Sequence, residues 1–478
     1  MQSDPTKIKS YIRSALEDEA LRQAVKKATD HSLTKRAEVV AELPHWENLR
    51  DRAAHIRNCA ITGLEEHLLM LEERASAKGI EVHWAKDAAE AKRIVGDICT
   101  AATRVSGSSE RPIIAKSKSM TTEEIGLTPY LEGQGFEVVE TDLGEYIVQI
   151  AGQMPSHITA PALHLSRSDV GRLFADKLGV EYEDDPVKLI GIARKVLREK
   201  FMKAEIGITG VNFAVAESGT PVMVENEGNG RLVGAIPRVQ ISVMGIEKVI
   251  PTFEDLMVLL ELLPRSATGQ RITGSVLFFN RPRKEGETDG PEQMHLVIVD
   301  NGRTKALADP DLREVLRCIR CGACLNTCPV YRQTGGHAYG WIYPGPIGAV
   351  LAPIFLGLDK AGDHPFASSL CGSCSEICPV KIDLHRLLLN LRSRVTSEIA
   401  GWSGERAVIS GWQSVMSRPD LYRALAGLPR FILHDILQGR WSPPLPIWGK
   451  SRSSPPLARS SFSEMFLKEF TNQEKPEG

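Results

Sequence analysis

Seven of the chain's nine cysteines fall between residues 318 and 378, in two runs that each end in Cys-Pro. The first is Cys318-Ile-Arg-Cys321-Gly-Ala-Cys324-Leu-Asn-Thr-Cys328-Pro329, a C-x2-C-x2-C-x3-C-P spacing. The second is Cys371-Gly-Ser-Cys374-Ser-Glu-Ile-Cys378-Pro379, a C-x2-C-x3-C-P spacing. Gaps this short let one tight loop wrap three thiolates around three corners of an iron–sulfur cubane. Small residues such as Gly322, Ala323, Gly372 and Ser373 let the backbone come close to it. Each Cys-Pro turns the chain away, and its thiolate serves the other cluster. This crossing predicts Cys318, Cys321, Cys324 and Cys378 on one [4Fe–4S] cluster and Cys328, Cys371 and Cys374 on a second. The second set is one thiolate short. It therefore suits a [4Fe–4S] cluster with a non-cysteine ligand or an open iron, or a [3Fe–4S] cluster. His337, in GGHAYG, is one candidate fourth ligand. A lone histidine in a glycine-rich loop is more often structural, so it stays outside the ligand set. Zinc on four thiolates is the plain alternative, but it leaves three cysteines and both Cys-Pro endings unexplained.

The rest of the chain sets the context. Its 478 residues suggest two to four domains. Lys and Arg number 58 against 60 Asp and Glu, a balance that points to neither nucleic acid nor an anionic membrane. The mixed-charge N-terminus has no apolar core of a signal peptide. The longest apolar run, 347–358, is shorter than the ~20 residues a membrane helix needs, and Pro353 interrupts it. It reads as a buried loop or helix beside the cysteines. These features suggest a cytoplasmic protein, where thiols stay reduced and serve metal or redox chemistry. Cys59 and Cys99 lie in helical sequence and read as small buried apolar residues.

Residues 1–58 read mainly as helix. Helical periodicity then alternates with short apolar runs. Helices are expected over 62–79, 87–105 with Asp87 as N-cap, 121–135, 167–178 and 186–204. Strands are expected over 80–85, 112–117, 136–141, 213–218, 221–226, 238–245, 274–280 and 295–300. This alternation predicts an α/β layered domain with a largely parallel sheet and an antiparallel portion where the later strands crowd together. Composition breaks near residue 310. After the cysteines, 383–401 reads as an amphipathic helix with Asp383 as N-cap. From Ser442 onward the Pro/Ser-rich tail reads as extended chain, and Trp448 and Phe462 are anchors if it binds a partner.

Neither a dinucleotide fingerprint nor a phosphate-binding P-loop is present. Polar residues cluster instead at Lys116 and Lys118, at Glu140, Asp142 and Glu145, at His157 and His164, and at Asn212 and Glu217. Taken singly, most are helix caps or solvated charges. Sited together at strand ends they would ring a small-molecule cleft, where such sheets place their ligands.

With these residues in view, the chain resembles the lactate utilization protein B family, the iron–sulfur members of a bacterial three-protein L-lactate oxidation system. The likeness rests on CIRCGACLNTCPVYRQTGGHAYG (318–340), YPGPIGAVL (343–351), SLCGSCSEICPVKIDLH (369–385), KSKSMTTEEIGL (116–127), ETDLGEYIVQIAG (140–152) and PLPIWGK (444–450). The resemblance implies a LUD-type α/β domain, like the sugar-phosphate isomerase and CoA-transferase folds, followed by an all-α ferredoxin-like domain. The expected divisions are a helical segment 1–59, the α/β domain 60–305, a two-cluster ferredoxin-type domain 306–400, and a C-terminal helical segment with tail 401–478. It also implies two [4Fe–4S] clusters in the crossed arrangement, and lactate oxidation to pyruvate with this chain as electron carrier. The implied partners are a second cysteine-rich iron–sulfur protein and a cluster-free sister of the α/β domain. Its catalytic residues do not carry over. The alternative is a self-contained hydroxy-acid oxidoreductase with substrate in the α/β cleft. A cluster-based regulator fits less well, because no DNA-binding signature is present.

Overall fold

The computed structural model describes residues 4–106, 111–399, 404–431, 458 and 460–471. Residues Met1–Ile399 form one compact unit and Ala400–Gly478 a second.

The centre of the first unit is a six-stranded, all-parallel sheet. Its strands are β1 (Ile80–Ala85), β2 (Ile113–Lys116), β3 (Glu137–Glu140), β4 (Ala204–Gly210), β7 (Val239–Gly245) and β10 (Gln293–Val299). They lie in the order β1-β10-β7-β4-β2-β3. A smaller sheet, β8-β5-β6-β9, is built from β5 (Phe213–Val215), β6 (Thr220–Glu225), β8 (Val249–Ile250) and β9 (Ser275–Phe278). Its β5–β6 and β6–β9 pairs are antiparallel, as the crowding of later strands predicts. The central strand β7, VQISVMG, is buried along its whole length because helices cover both sheet faces. On one face Val239, Ile241 and Val243 pack with Val95 and Cys99 of a helix over Ala88–Ser106. On the other, Met244 joins Leu68 and Leu71 of a helix over Leu64–Ser76.

Several elements depart from the sequence reading. β4 was not expected, because two glycines dilute its apolar pattern. Gly207 is required there: an added Cβ would meet the Val233 carbonyl oxygen at 2.0 Å, so a helix over Asn229–Ala235 packs directly on the strand. A helix over Phe253–Ala267, capped by Thr252, occupies a stretch given no element. The 121–135 helix breaks at Gly126 (φ 66°) into Met120–Glu124 and Leu127–Gly133. Asp87 does cap its helix, accepting from the Glu90 N–H. Asp383 does not. Its carboxylate faces His385 and Arg386, and the Ser375 hydroxyl accepts the His385 N–H instead. Cys99 is buried, whereas Cys59 is exposed and so is not the core residue expected.

The N-terminal helices α1 (Ile8–Glu17), α2 (Glu19–Ala41) and α3 (Trp46–Thr62) share one hydrophobic core with the cysteine region. Past β10 the described residues are helices and loops. The apolar run of the sequence is a helix over Gly345–Leu356, buried through Pro353 against the cysteine loops. No helix among the described residues is long and apolar enough to cross a membrane.

The second unit contains helices over Gly404–Met416, Pro419–Phe431 and Phe462–Thr471. Phe462 therefore begins a helix rather than lying in extended chain, and its side chain is exposed. Trp448 and the stretch 442–457 lie outside the described residues.

Candidate metal centre and adjoining pocket

Both cysteine runs fold as the same loop. Arg320 and Leu370, just before Cys321 and Cys371, take left-handed backbone angles (φ 60° and 55°). The glycines just after, Gly322 and Gly372, do so too (76° and 82°). Only glycine takes this conformation freely, so the loops carry strain at Arg320 and Leu370. A short helix follows in each case, Ala323–Thr327 and Ser373–Glu376. Backbone N–H groups turn inward: Arg320 N donates to Cys318 Sγ and Ile382 N to Cys378 Sγ, both at 3.4 Å.

The loops gather the thiols into two neighbouring groups. Cys318, Cys321, Cys324 and Cys378 line one small closed cavity with Ile158, Ile347 and Leu384. Cys328 interacts with Cys371 and Cys374, and Cys374 with Cys324 across the two groups. All are free thiols; Cys371 is exposed, Cys318 half-buried and the other five buried. Burial, reinforced by the neighbouring sulfurs, pushes Cys378 up to about 11 and Cys374 to about 12, and Cys321 and Cys324 further. Left alone these thiols keep their protons at neutral pH. A cationic iron–sulfur core would displace those protons and favour the thiolates. Tyr339 Oη is buried without a partner beside Cys328, Cys324 and Cys374. An all-sulfur donor set with an unpaired hydroxyl beside it fits cores that present sulfide acceptors. His337 Nε2 is engaged with the Met154 carbonyl at 2.6 Å, and its ring packs on His164.

Arginines that the sequence reading did not single out brace the loops. Arg57 of α3 is fully buried and donates to the carbonyls of Val249, Leu316, Arg317 and Glu247. It thus ties the sheet's carboxyl edge to the start of the first cysteine run. Arg50 donates to the carbonyls of Glu376 and Cys378, and Arg36 to that of Ile377. The visible signal is positional: Arg50 and Arg57 lie seven residues apart on the helix face that carries Ala53 and Ile56. His157 also proves to be a brace. It is buried against Gly322, its Nε2 meets Asn326 Oδ1 at 3.2 Å, and its Nδ1 accepts from Thr159 N. Burial pushes it down to about 3, so it is neutral.

At the carboxyl ends of β2, β3, β4 and β7 lies a pocket, the site expected for such a sheet. Lys118, Asp142 and Asn212 from the sequence reading line it. Glu145 holds Lys118 at 2.5 Å. Lys116 lies buried behind; burial disfavours its charge, but Glu123 and Glu140 outweigh this and keep it protonated. His164 is bound to Ser156 and Gln153, and exposed Glu217 caps the Phe253 helix. Neither reaches the pocket. Lys248, Arg320 and Tyr343 do, and only the folded chain brings them there.

Arg320 joins the two sites, since it sits between Cys318 and Cys321 and also lines the pocket. Its guanidinium lies over the Tyr343 ring at 4.9 Å and 3.6 Å from Glu247, with Nε and Nη1 buried and unpartnered. Glu247 also receives Arg303 at 2.5 Å, and Arg303 and Tyr343 both bind Glu124. Burial works against charge on Glu247, but Arg303 and Lys248 outweigh it and hold it down to about 2. Lys248 is pushed down to about 8 by burial.

A parallel α/β sheet with two cysteine loops packed at its carboxyl edge is the framework of an iron–sulfur protein. Family models agree: the LUD domain matches residues 68–299, and the 4Fe-4S dicluster domain matches residues 314–382. Lactate utilization protein B of Macrococcus caseolyticus is 47% identical over 87% of this chain and 86% of its own. That of Bacillus subtilis is 42% identical over 98% of each. An uncharacterized electron transport protein of Escherichia coli is 40% identical over 99% of each. The chain belongs to the lactate utilization protein B family.

Proposed function

We propose that this chain is the iron–sulfur electron-transfer component of a complex that oxidises L-lactate to pyruvate, allowing lactate to serve as a carbon source. The observation that carries this reading is the gathering of seven cysteines into two adjacent groups. One is closed and meets the α/β pocket at Arg320; the other reaches the surface at Cys371. Cys318, Cys321, Cys324 and Cys378 are assigned to one [4Fe–4S] cluster, and Cys328, Cys371 and Cys374 to a second, [4Fe–4S] or [3Fe–4S]. Two such clusters supply one-electron carriers that together match the two electrons a 2-hydroxy acid releases. The chain's part is to seat them: the N–H groups of Arg320 and Ile382 donate to sulfur, and the apolar walls exclude water. The relatives' names support both lactate and electron transport. The proposed partners are a second cysteine-rich iron–sulfur protein and a cluster-free sister α/β protein, in the cytoplasm. Residues 60–305 are assigned to an isomerase/CoA-transferase-like domain and 306–400 to an all-α ferredoxin-like domain. Anaerobic purification with co-purifying partners, followed by electron paramagnetic resonance with and without L-lactate, tests this. Lactate-dependent cluster reduction that requires the partners is expected. Zinc in place of iron and sulfide, or no lactate response in the assembled system, overturns it.

A second reading has its own observation. Unpartnered nitrogens of Arg320, with Lys248 beside it, give the pocket a cationic end next to Cys318. Such an end suits the carboxylate of a hydroxy acid bound in this chain itself. Bleaching of the cluster absorbance by lactate in the isolated chain would favour that reading over a pure relay.

A further inference from the structure

The second cysteine group lacks a fourth thiolate, and the internal repeat of the two loops shows where it would stand. Counting back from Cys-Pro finds it: Cys318 precedes Cys328 by ten residues, and Ser368 precedes Cys378 by ten. Counting back from the shared Cys-Gly-x-Cys agrees. Cys318 precedes Cys321 by three residues, and Ser368 precedes Cys371 by three. The backbone supports the register. Left-handed Arg320 and Gly322 match left-handed Leu370 and Gly372 across this alignment. The side-chain contact matches as well. In the first loop Arg320 N donates to Cys318 Sγ at 3.4 Å. In the second, Leu370 N donates to Ser368 Oγ at 3.1 Å. The same N–H, two residues on, holds the same side-chain position, with oxygen in place of sulfur.

We infer that Ser368 Oγ is the fourth ligand of the cluster assigned to Cys328, Cys371 and Cys374. This rests on the crossed cysteine assignment. Arg392 fixes the backbone at this point, donating from Nη2 to the Ser368 carbonyl at 2.6 Å. Other side chains are less suited. His337 spends Nε2 on Met154. Tyr339 Oη interacts with cysteines of both groups, which suits a hydrogen bond to sulfide between them. On ligation the Ser368 O–H releases its proton to solvent and an Fe–O bond replaces an iron–water bond. No electron is transferred. A hard alkoxide on one corner differentiates that iron from its three thiolate-bound neighbours.

The test uses the full chain, purified anaerobically with its clusters, alongside Ser368→Ala and Ser368→Cys. Ser368 is half-buried in a surface loop, and both replacements are small. Mössbauer and electron paramagnetic resonance spectra, redox titration and iron content are read for each. Ser368→Ala is expected to lose the corner iron on mild oxidation and give the signal of a [3Fe–4S] cluster. It should also bind added 2-mercaptoethanol, which leaves the unsubstituted protein unchanged. Ser368→Cys is expected to give two ordinary four-thiolate clusters with one midpoint potential shifted. The inference is overturned if neither replacement alters the spectra, the potentials or the iron content. It is also overturned if the unsubstituted chain already holds a [3Fe–4S] cluster or binds the added thiol. Absence of any cluster in all three proteins would instead overturn the crossed cysteine assignment.

Discussion

The first cysteine group is walled in by Ile158, Ile347 and Leu384 and braced by Arg57 and His157, whereas the second opens to solvent at Cys371. The two loops share one backbone path, so path alone does not set their surroundings. The first packs against the carboxyl edge of the sheet and the second faces outward. In the relay proposed above, this asymmetry would set an inner carrier near the pocket and an outer one where a partner could approach.

Cysteine replacement gives the sharpest contrast. Cys378→Ala empties a buried, shared position in the closed group. A loss above about 4 kcal/mol is expected, in the range of a lost metal site or large cavity, together with loss of cluster absorbance. Cys371→Ala sits at the surface and should keep the fold while altering only the outer cluster's spectrum. Thermal unfolding and iron content, read together, check this. Equal damage from both would erase the inner–outer distinction.

Next in size is the bracing. Arg57→Ala strips four buried carbonyls of a donor and removes a charge beside Glu247. About 3–5 kcal/mol of stability should be lost in urea unfolding. Arg392→Ala, on the outer loop, removes donors to the Pro365 and Ser368 carbonyls from a less buried site, and about 1 kcal/mol is expected. A milder Arg57 effect would mean that α3 is not what fixes the inner loop.

The inner brace also titrates. Burial, and then the Lys118 charge, depress His157 from an ordinary 6.5 to about 3, against a small opposing effect of the Asn326 hydrogen bond. Below pH 6.5 the unfolded chain takes up a proton that the folded chain refuses. Stability is therefore full above pH 6.5 and falls as pH drops toward 3. Between pH 7 and about 5.5 the loss should be about 1.2 kcal/mol, and His157→Asn should flatten that slope. Urea titrations at the two pH values, with cluster absorbance monitored, decide it.

How far the sequence carries can be judged from the same residues. The cysteine runs were legible because their function is written in local spacing, and so were β2 and β7 because buried strands carry apolar runs. β4 was not, since Gly207 serves close helix packing rather than apolar burial. Arg57, Lys248 and Arg320 were silent for another reason. Their roles depend on contacts between segments far apart in the chain, and a basic residue in sequence looks solvated whether or not it is. The sequence groups His157 with the pocket residues, whereas it stands behind the first loop, against Gly322 and Asn326. The distinction between lining a cleft and bracing its wall lies in side-chain direction, which strand and helix periodicity leave open.

The finest probe of the two loops exchanges one hydrogen for a methyl group. Gly322 and Gly372 occupy matching left-handed positions, so alanine at either incurs the same backbone cost, about 1 kcal/mol. Their surroundings differ. A Cβ at Gly322 would lie 3.1 Å from the His157 ring, while one at Gly372 meets nothing within 4 Å. Gly322→Ala should therefore cost about 1 kcal/mol more than Gly372→Ala, because His157 is held by Asn326 and Thr159 and has little room to yield. Chemical denaturation of the two variants measures the difference. If it vanishes, the His157 ring moves freely, and the inner loop's rigidity must come from the arginines alone. If it exceeds the expected value, the ring and the loop form one packed unit, and the steep acid sensitivity predicted for His157 should weaken in Gly322→Ala as well.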